Sequence, residues 1–439
     1  MRRVDWSDAS PAARAEALAR PPRGERPEVA DGVARIFADV RARGAEAVAG
    51  WATKLDGFAP RTVAITPASV RAARSRVSRE DAEALAFATD AVRRFHRADR
   101  PQDGPWVDTM RGARCRRVWR PIETAGLYVP GGTAPLFSTL LMLAIPAEAA
   151  GVPVRVVVTP PGRNGEAHPM MVLAADLAGL DELHLVGGAQ AVAALTFGAG
   201  LPRADKIFGP GNAWVAEAKR QAAALPGGPA IDLPAGPSEL MVIADGTADP
   251  TLVAADLLSQ AEHDTDAQVL LVTDDARVAE AVEREVERLL ACLPRAETAR
   301  ASLGSARVIL TADLDEAVRA ADAYAPEHLS IQTHGAERLA AAVRNAGTVF
   351  VGHWSAESFG DYLAGPSHVL PTDGAARAFS GVTTASFMKS FAVQEVRPEA
   401  VPALADASTR LARLEGLEAH ALAAELRSER ARRDLGAAA

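Results

Sequence analysis

Cysteine is almost missing from this chain. Cys115 and Cys292 are the only two among 439 residues, which excludes a disulfide framework and any Cys-x-x-Cys metal or redox motif. An excess of positive charge is missing too. The formal net charge is −8, whereas a phosphate backbone calls for a basic face, so no nucleic-acid partner is expected. The arginines near the end (Arg427, Arg430, Arg432, Arg433) read as a solvated helix face. The longest apolar stretch, Leu136 to Val158, is broken by Pro146, Glu148, Pro153 and Arg155, so it does not span a bilayer. The run Met1-Arg2-Arg3-Val4-Asp5 carries charges where a signal peptide needs an apolar core. A soluble, cytoplasmic protein without membrane contact is expected. The G-x-G-x-x-G fingerprint of dinucleotide sites is also absent.

What remains is an ordinary globular composition, 48% hydrophobic and 24% charged, in a chain long enough for two or three domains. Up to about Arg100 the pattern is helical. Val33, Ile36, Phe37 and Val40 follow helical spacing and Gly44 stands where that helix would stop; Ser78 suits the N-cap of another helix bearing Leu85, Val92 and Phe95. From Pro121 short apolar runs alternate with helical ones. The segments 154–158, 184–186 and 206–208 form one series of strands, and 240–244, 269–272, 308–310, 329–331 and 348–351 a second. Strands alternating with helices imply parallel sheets covered on both faces. Two series predict an α/β fold of two doubly wound domains, with a cleft between them as the place for ligands. A long Gly/Pro/Ser-containing loop is expected from Gly352 to about Gly381, and helix again from Pro398.

Three glycine-rich turns follow strand-like runs: Gly126 to Gly132, Val186 to Gln190 and Gly209 to Asn212. Glycine lets backbone N–H groups approach a phosphate at a helix N-terminus. Each alone reads as a plain turn, whereas three at the same end of successive units make a nucleotide or phosphate ligand as good a reading as plain turns. Among the nine histidines, His96, His168, His184, His334 and His353 have ordinary surroundings and no assigned role. The others stand out. Gln260 and His263 are three residues apart on a predicted helix, so both leave one face, where an amide oxygen and an imidazole can share a cation. A solvated polar helix face is the commoner reason for such a pair. Glu327-His328 follows Pro326 and enters a strand; a carboxylate beside an imidazole can divide proton transfer. Asp361 and His368 offer zinc-type donors in the loop. Glu415 and His420 are five apart, about 140° on an ideal helix, so Gly416 must interrupt that helix if both face one site.

At these residues the chain resembles the histidinol dehydrogenase family. The resemblance rests on GLYVPGGTAPLFST (126–139), VGGAQA (186–191), FGPGNAWV (208–215), IDLPAGPSE (231–239), DLLSQAEHD (256–264), YAPEHL (324–329), GDYLAGPSHVLPT (360–372) and LARLEGLEAH (411–420). It implies oxidation of L-histidinol to L-histidine through L-histidinaldehyde with two NAD, the final step of histidine biosynthesis. It also implies one zinc per subunit on Gln260, His263, Asp361 and His420. His328 would be the base in both oxidations, and Glu327 would activate the water that attacks the aldehyde. Ser238, Gln260, His263, His328, Asp361, His368, Glu415 and His420 would contact substrate, and Tyr128, Gln190 and Asn212 would line the NAD site. The implied architecture is two Rossmann-like domains of aldehyde-dehydrogenase type. Residues 1–26 would be a helical arm, 27–120 with 238–380 the zinc-bearing domain, and 121–237 the NAD side. Residues 381–439 would be a helical segment exchanged in an intertwined homodimer whose sites are shared. No cysteine lies in a matched motif, so neither Cys115 nor Cys292 is expected to form a thiohemiacetal. The chain departs from the family at Ser367, where many relatives carry Asn. That leaves as an alternative a paralogue oxidising another small polar alcohol, such as a sulfonated diol.

Overall fold

Two sheets grow from the β-branched runs. The computed structural model describes residues 1–21, 27–131, 135–233 and 236–437. Its strands are β1 (Arg2–Asp5), β2 (Arg61–Ala64), β3 (Val107–Met110), β4 (Ala113–Pro121), β5 (Thr124–Tyr128), β6 (Val154–Thr159), β7 (Glu182–Leu185), β8 (Lys206–Phe208), β9 (Ala230–Ile231), β10 (Glu239–Ala244), β11 (Gln268–Thr273), β12 (Arg307–Leu310), β13 (His328–Gln332), β14 (Thr348–Val351) and β15 (Met388–Val396). One sheet has the order β1-β12-β11-β10-β13-β14 and is parallel throughout. A second has the order β2-β7-β6-β5-β8-β9, parallel except where β2 meets β7. Both belong to one compact unit, residues 1–99 with 122–387.

The first sheet shows why both faces are apolar. Leu240 and Val242 of β10 point into a core shared with the helices Pro250–Ala261 and Ala276–Leu290. Met241 and Ile243 point the other way, against Ala17, Leu339 and the helix Leu314–Tyr324. Successive side chains alternate across a strand, so a strand buried on both faces reads as one continuous apolar run. The helices Pro27–Arg43 and Ala45–Leu55 bury Val33, Ile36, Phe37, Val40 and Val48 in one cluster with Val156 and Val158 of β6. That segment therefore belongs with the 121–237 sheet, to which β2 also adds a strand. The sequence had grouped 27–120 with 238–380. Helical spacing reveals an apolar stripe without saying which sheet it covers.

Residues 100–121 and 388–439 form a unit of their own. It holds the antiparallel sheet β15-β4-β3 and a hairpin of the helices Val401–Leu414 and Glu418–Ala437. Gly416, at φ +74°, breaks the helix between them, as expected. The C-terminal segment is thus partly strand. The N-terminal arm combines β1 with the helix Pro11–Ala17, and its residues 22–26 lie outside the described residues, as does Gly132 of the first glycine turn. The 352–381 loop contains a short helix, Glu357–Tyr362. Among the described residues no helix is long and apolar enough to cross a membrane.

Candidate active site

β10 and β13 are neighbours in the middle of the first sheet, with Leu240 opposite His328. Glu239 begins one strand and His328 the other. Glu239 Nα donates to Glu327 Oε2 at 2.8 Å, and His328 Nδ1 lies 3.0 Å from the Glu239 carbonyl. A carbonyl only accepts, so Nδ1 carries the proton and Nε2 keeps its lone pair. That Nε2 is buried, has no hydrogen-bond partner among the described residues, and lies 3.9 Å from Asp361 Oδ1. A buried ring nitrogen without a partner is rare enough to need a reason. A reacting group placed there would supply one.

Burial sets the titration of both members. Desolvation lowers the His328 pKa to about 4, against an opposing pull from the Asp361 charge, so the imidazole is neutral near pH 7. Desolvation also raises the Glu327 carboxyl well above its ordinary value; the Glu239 N–H opposes this, and the Glu239 and Asp361 charges add to it.

The helix Pro250–Ala261 ends one residue beyond Gln260. The expected helical pair is therefore a helix-end pair: Gln260 is fully buried in the last turn and His263 is exposed in the turn that follows. His263 Nδ1 donates to the Ser259 carbonyl at 2.8 Å, which turns its Nε2 lone pair outward. A ring oriented this way is the usual arrangement of a metal-binding imidazole. With its amide nitrogen turned inward, Gln260 donates to Glu357 Oε1 at 2.9 Å and to the Glu239 carbonyl at 3.2 Å; both amide hydrogens are spent there, so none is donated to His328 Nδ1, 3.0 Å away, whose own N–H shares the Glu239 carbonyl. The amide oxygen then faces the opposite way. Asp361 is half-buried, and its carbonyl accepts from His368 Nδ1 at 2.8 Å, while Thr139 Oγ1 donates to His368 Nε2 at 3.1 Å. Among the described residues no three His, Cys, Asp or Glu side chains gather as a metal-binding group. Gln260, His263 and Asp361 nonetheless all lie around His328, and their amide, imidazole and carboxylate donors suit zinc.

The remaining predicted residues are placed as follows. Ser238 is half-buried just before β10, and its carbonyl accepts from Gln268 N at 3.0 Å. Glu415 and His420 are exposed on the helical hairpin of the smaller unit. Ser367 is buried; its Oγ donates to the Met142 carbonyl at 3.3 Å and accepts from Val369 N at 3.2 Å. The hydroxyl therefore anchors the turn that carries His368. At the ends of β5, β7 and β8 the glycine turns meet. The Gly188 N–H donates to Tyr128 Oη at 3.1 Å, and Gln190 Nε2 donates to Asp56 Oδ2 at 3.1 Å, leaving Gln190 Oε1 without a partner among the described residues. At Gly209, φ is +113° and an added Cβ would stand 2.0 Å from the Tyr128 carbonyl. Asn212 is exposed and caps the helix Ala213–Ala224 through Trp214 N and Val215 N.

Two participants escaped the sequence reading. Glu357, 1% exposed, is pushed well above the usual carboxylate range by burial and by the Asp361 charge. Its spacing of four from Asp361, one face of a helix, was the available signal. Glu239 acts on Glu327 and His328 through its backbone, which no side-chain motif encodes.

The sequence model of the histidinol dehydrogenase family matches residues 19–428. The chain is 46% identical over 427 residues to histidinol dehydrogenase of Salmonella typhimurium and 45% identical to that of Escherichia coli, in each case covering 97% of both chains. The crystal structure of histidinol dehydrogenase from Elizabethkingia anophelis superposes with a TM-score of 0.93 at 37% identity, covering 98% of both chains.

Proposed function

The chain belongs to the histidinol dehydrogenase family, and on that premise we propose the division of labour among its residues. It is an NAD-dependent oxidoreductase that converts L-histidinol to L-histidine, through L-histidinaldehyde, in histidine biosynthesis. One observation carries the proposal: the buried, unpartnered Nε2 of His328, whose ring is held by the Glu239 carbonyl.

In the first oxidation His328 Nε2 takes the hydroxyl proton of the substrate, and the Nδ1–H bond to Glu239 supports the imidazolium that forms. NAD held at Tyr128, Gln190 and Asn212 would supply the hydride acceptor for both oxidations. In the second, Glu327 takes a proton from the water that adds to the aldehyde. Its raised pKa makes the ionised carboxylate a stronger base than an exposed one. His328, having passed its first proton to solvent, then removes the hydroxyl proton of the hydrated aldehyde. Burial keeps bulk water from the aldehyde stage.

Gln260, His263 and Asp361, with His420, would hold zinc, which supplies a template that orients a chelating substrate. The outward Nε2 of His263 and the outward amide oxygen of Gln260 support this donor set. Ser238, His368 and Glu415 would contact the amino alcohol. Tyr128, Gln190 and Asn212 would line the NAD site, where the meeting of the three glycine turns supports a phosphate-bearing ligand. His420 and Glu415 stand on a hairpin whose Leu411, Leu414 and Leu422 are more than half exposed, at 62%, 79% and 51%. Such a leucine face supports a homodimer in which a partner chain covers the hairpin and takes up these two residues.

The test is stoichiometry with chelation. Two NADH per histidinol, lost with a chelator and restored by zinc, is the expected result; NADH from a sulfonated diol and none from histidinol would overturn it. His328→Asn should abolish both oxidations. Glu327→Gln should spare the oxidation of histidinol more than that of histidinaldehyde, measured separately with each substrate. Equal loss of the two would refute the assignment of the water-activating step to Glu327.

A further inference from the structure

The pair Glu327-His328 leans on Glu239, and Glu239 leans on the N-terminal arm. The Glu239 backbone holds both groups, Glu327 Oε2 through its N–H and His328 Nδ1 through its carbonyl. Its side chain, 3% exposed, is gripped by Arg20: Nε to Oε1 at 2.5 Å and Nη2 to Oε2 at 2.8 Å. This is the fork-to-fork geometry that a planar guanidinium makes and an ammonium does not. Asp373 N adds a third donor to Glu239 Oε1 at 2.9 Å.

Arg20 reaches the same pair from the opposite direction. Nη2 donates to the Tyr324 carbonyl at 3.0 Å, and the guanidinium lies 4.0 Å from the centre of the Tyr324 ring. Tyr324 ends the helix Leu314–Tyr324, whose last carbonyls carry partial negative charge. The next residue, Ala325, is fully buried at φ +55°, ψ +67°, a left-handed conformation that strains any residue with a Cβ. Two and three residues later come Glu327 and His328. One cation thus fixes the end of the helix that delivers them and the strand that receives them.

We propose that Arg20 is a positioning residue for the reaction: through Glu239 and the Tyr324–Ala325 turn it sets the place of the Glu327 carboxyl and keeps the proton of His328 on Nδ1. The inference rests on the reading of Glu327 and His328 given above, and extends it to a residue more than 300 positions away that touches no reacting atom.

The variants Arg20→Met, Arg20→Lys and Glu239→Gln in the full-length enzyme test it, with His328→Asn alongside. Arg20→Met keeps the stem and removes the fork. It should lower kcat for both oxidations by about 100-fold, the cost of a misplacement of about 1 Å. KM for histidinol and for NAD should stay within about twofold, since the partners of Arg20 (Glu239, Tyr324 and Ala325) are not among the residues assigned to either ligand. Arg20→Lys should recover part of the loss, and Glu239→Gln should share it; Glu239→Gln supplies the reading if Arg20→Met does not fold. Nitrogen NMR of histidine-labelled enzyme should show His328, assigned by the signal missing in His328→Asn, as the Nδ1–H tautomer in the wild type and as a mixture in Arg20→Met. A merely structural arginine would change the melting temperature and leave that tautomer alone. If His328→Asn is inactive while Arg20→Met and Glu239→Gln keep wild-type kcat and the Nδ1–H tautomer, the inference falls and the catalytic reading stands. If His328→Asn retains both oxidations, the catalytic reading itself has failed.

Discussion

Burial lowers the basicity of His96, His168, His184, His328 and His368, and pushes two of them, His96 and His328, down to about 4; those two do different things with it. His328 faces a group of carboxylates. His96, on the helix Arg79–Ala98, faces Thr384, has no partner at Nε2 among the described residues, and is pushed down to about 4 by burial alone. The unfolded chain binds a proton at this residue below about pH 6.5, and the folded chain does so only near pH 4. Between those values the unfolded state holds more protons, so stability falls as pH falls, by about 3 kcal/mol over the window, and is unaffected above it. His96→Gln should flatten that part of a melting-temperature profile measured from pH 7 to pH 4.5; an unchanged slope would count against it. At this scale the sequence was readable only where chemistry sits in a side chain with a telling neighbour. Glu327-His328 qualified. Gln260 and His420 needed the family resemblance, because an amide or a lone imidazole on a helix has commoner uses. Glu239 and Arg20 were invisible, since one works through its backbone and the other across a sequence gap no spacing rule covers.

Among elements, the β-branched runs were legible because strands buried on both faces leave a continuous apolar trace. β1 left none. Arg2-Arg3-Val4-Asp5 pairs along the edge of the sheet with mostly exposed side chains, and an edge strand tolerates charge on its open side. The Ile231–Glu239 motif also gains a physical meaning here. Asp232 Oδ1 meets Lys219 Nζ at 2.5 Å with both side chains almost wholly buried, and Asp232 Oδ2 accepts from Gly209 N at 2.7 Å. Lys219 Nζ also donates to the Gly209 carbonyl at 2.8 Å. The pair clamps the turn that runs under the expected nicotinamide-dinucleotide site. Lys219→Met should cost about 3–5 kcal/mol by leaving a buried carboxylate unpaired, read by urea unfolding, and should weaken NAD binding. Lys219→Met with Asp232→Leu should regain much of the stability and little of the affinity. Recovery of both together would mean that the clamp does not shape the turn.

For the molecule as a whole, the sequence predicted two parallel sheets and misjudged which helices cover which. The homodimer proposal has a sharp consequence. If each site takes His263 from one chain and His420 from the other, His263→Asn and His420→Asn enzymes are each inactive, and chains mixed after unfolding give heterodimers with one intact site. About a quarter of wild-type activity should return, from half of the dimers each carrying one good site of two. No recovery would mean that one chain supplies both residues. A different consequence follows from the ladder that sets Leu240 beside His328. Because strand side chains alternate, moving β13 by a single position would swing Leu329 into the reaction space and turn His328 into the opposite core. Hydrogen bonding along the sheet would tolerate the slip and the chemistry would not. Single-residue insertions or deletions between Ala325 and His328 should therefore yield chains that fold and do nothing, whereas insertions of the same size in the exposed turns between strands should be absorbed.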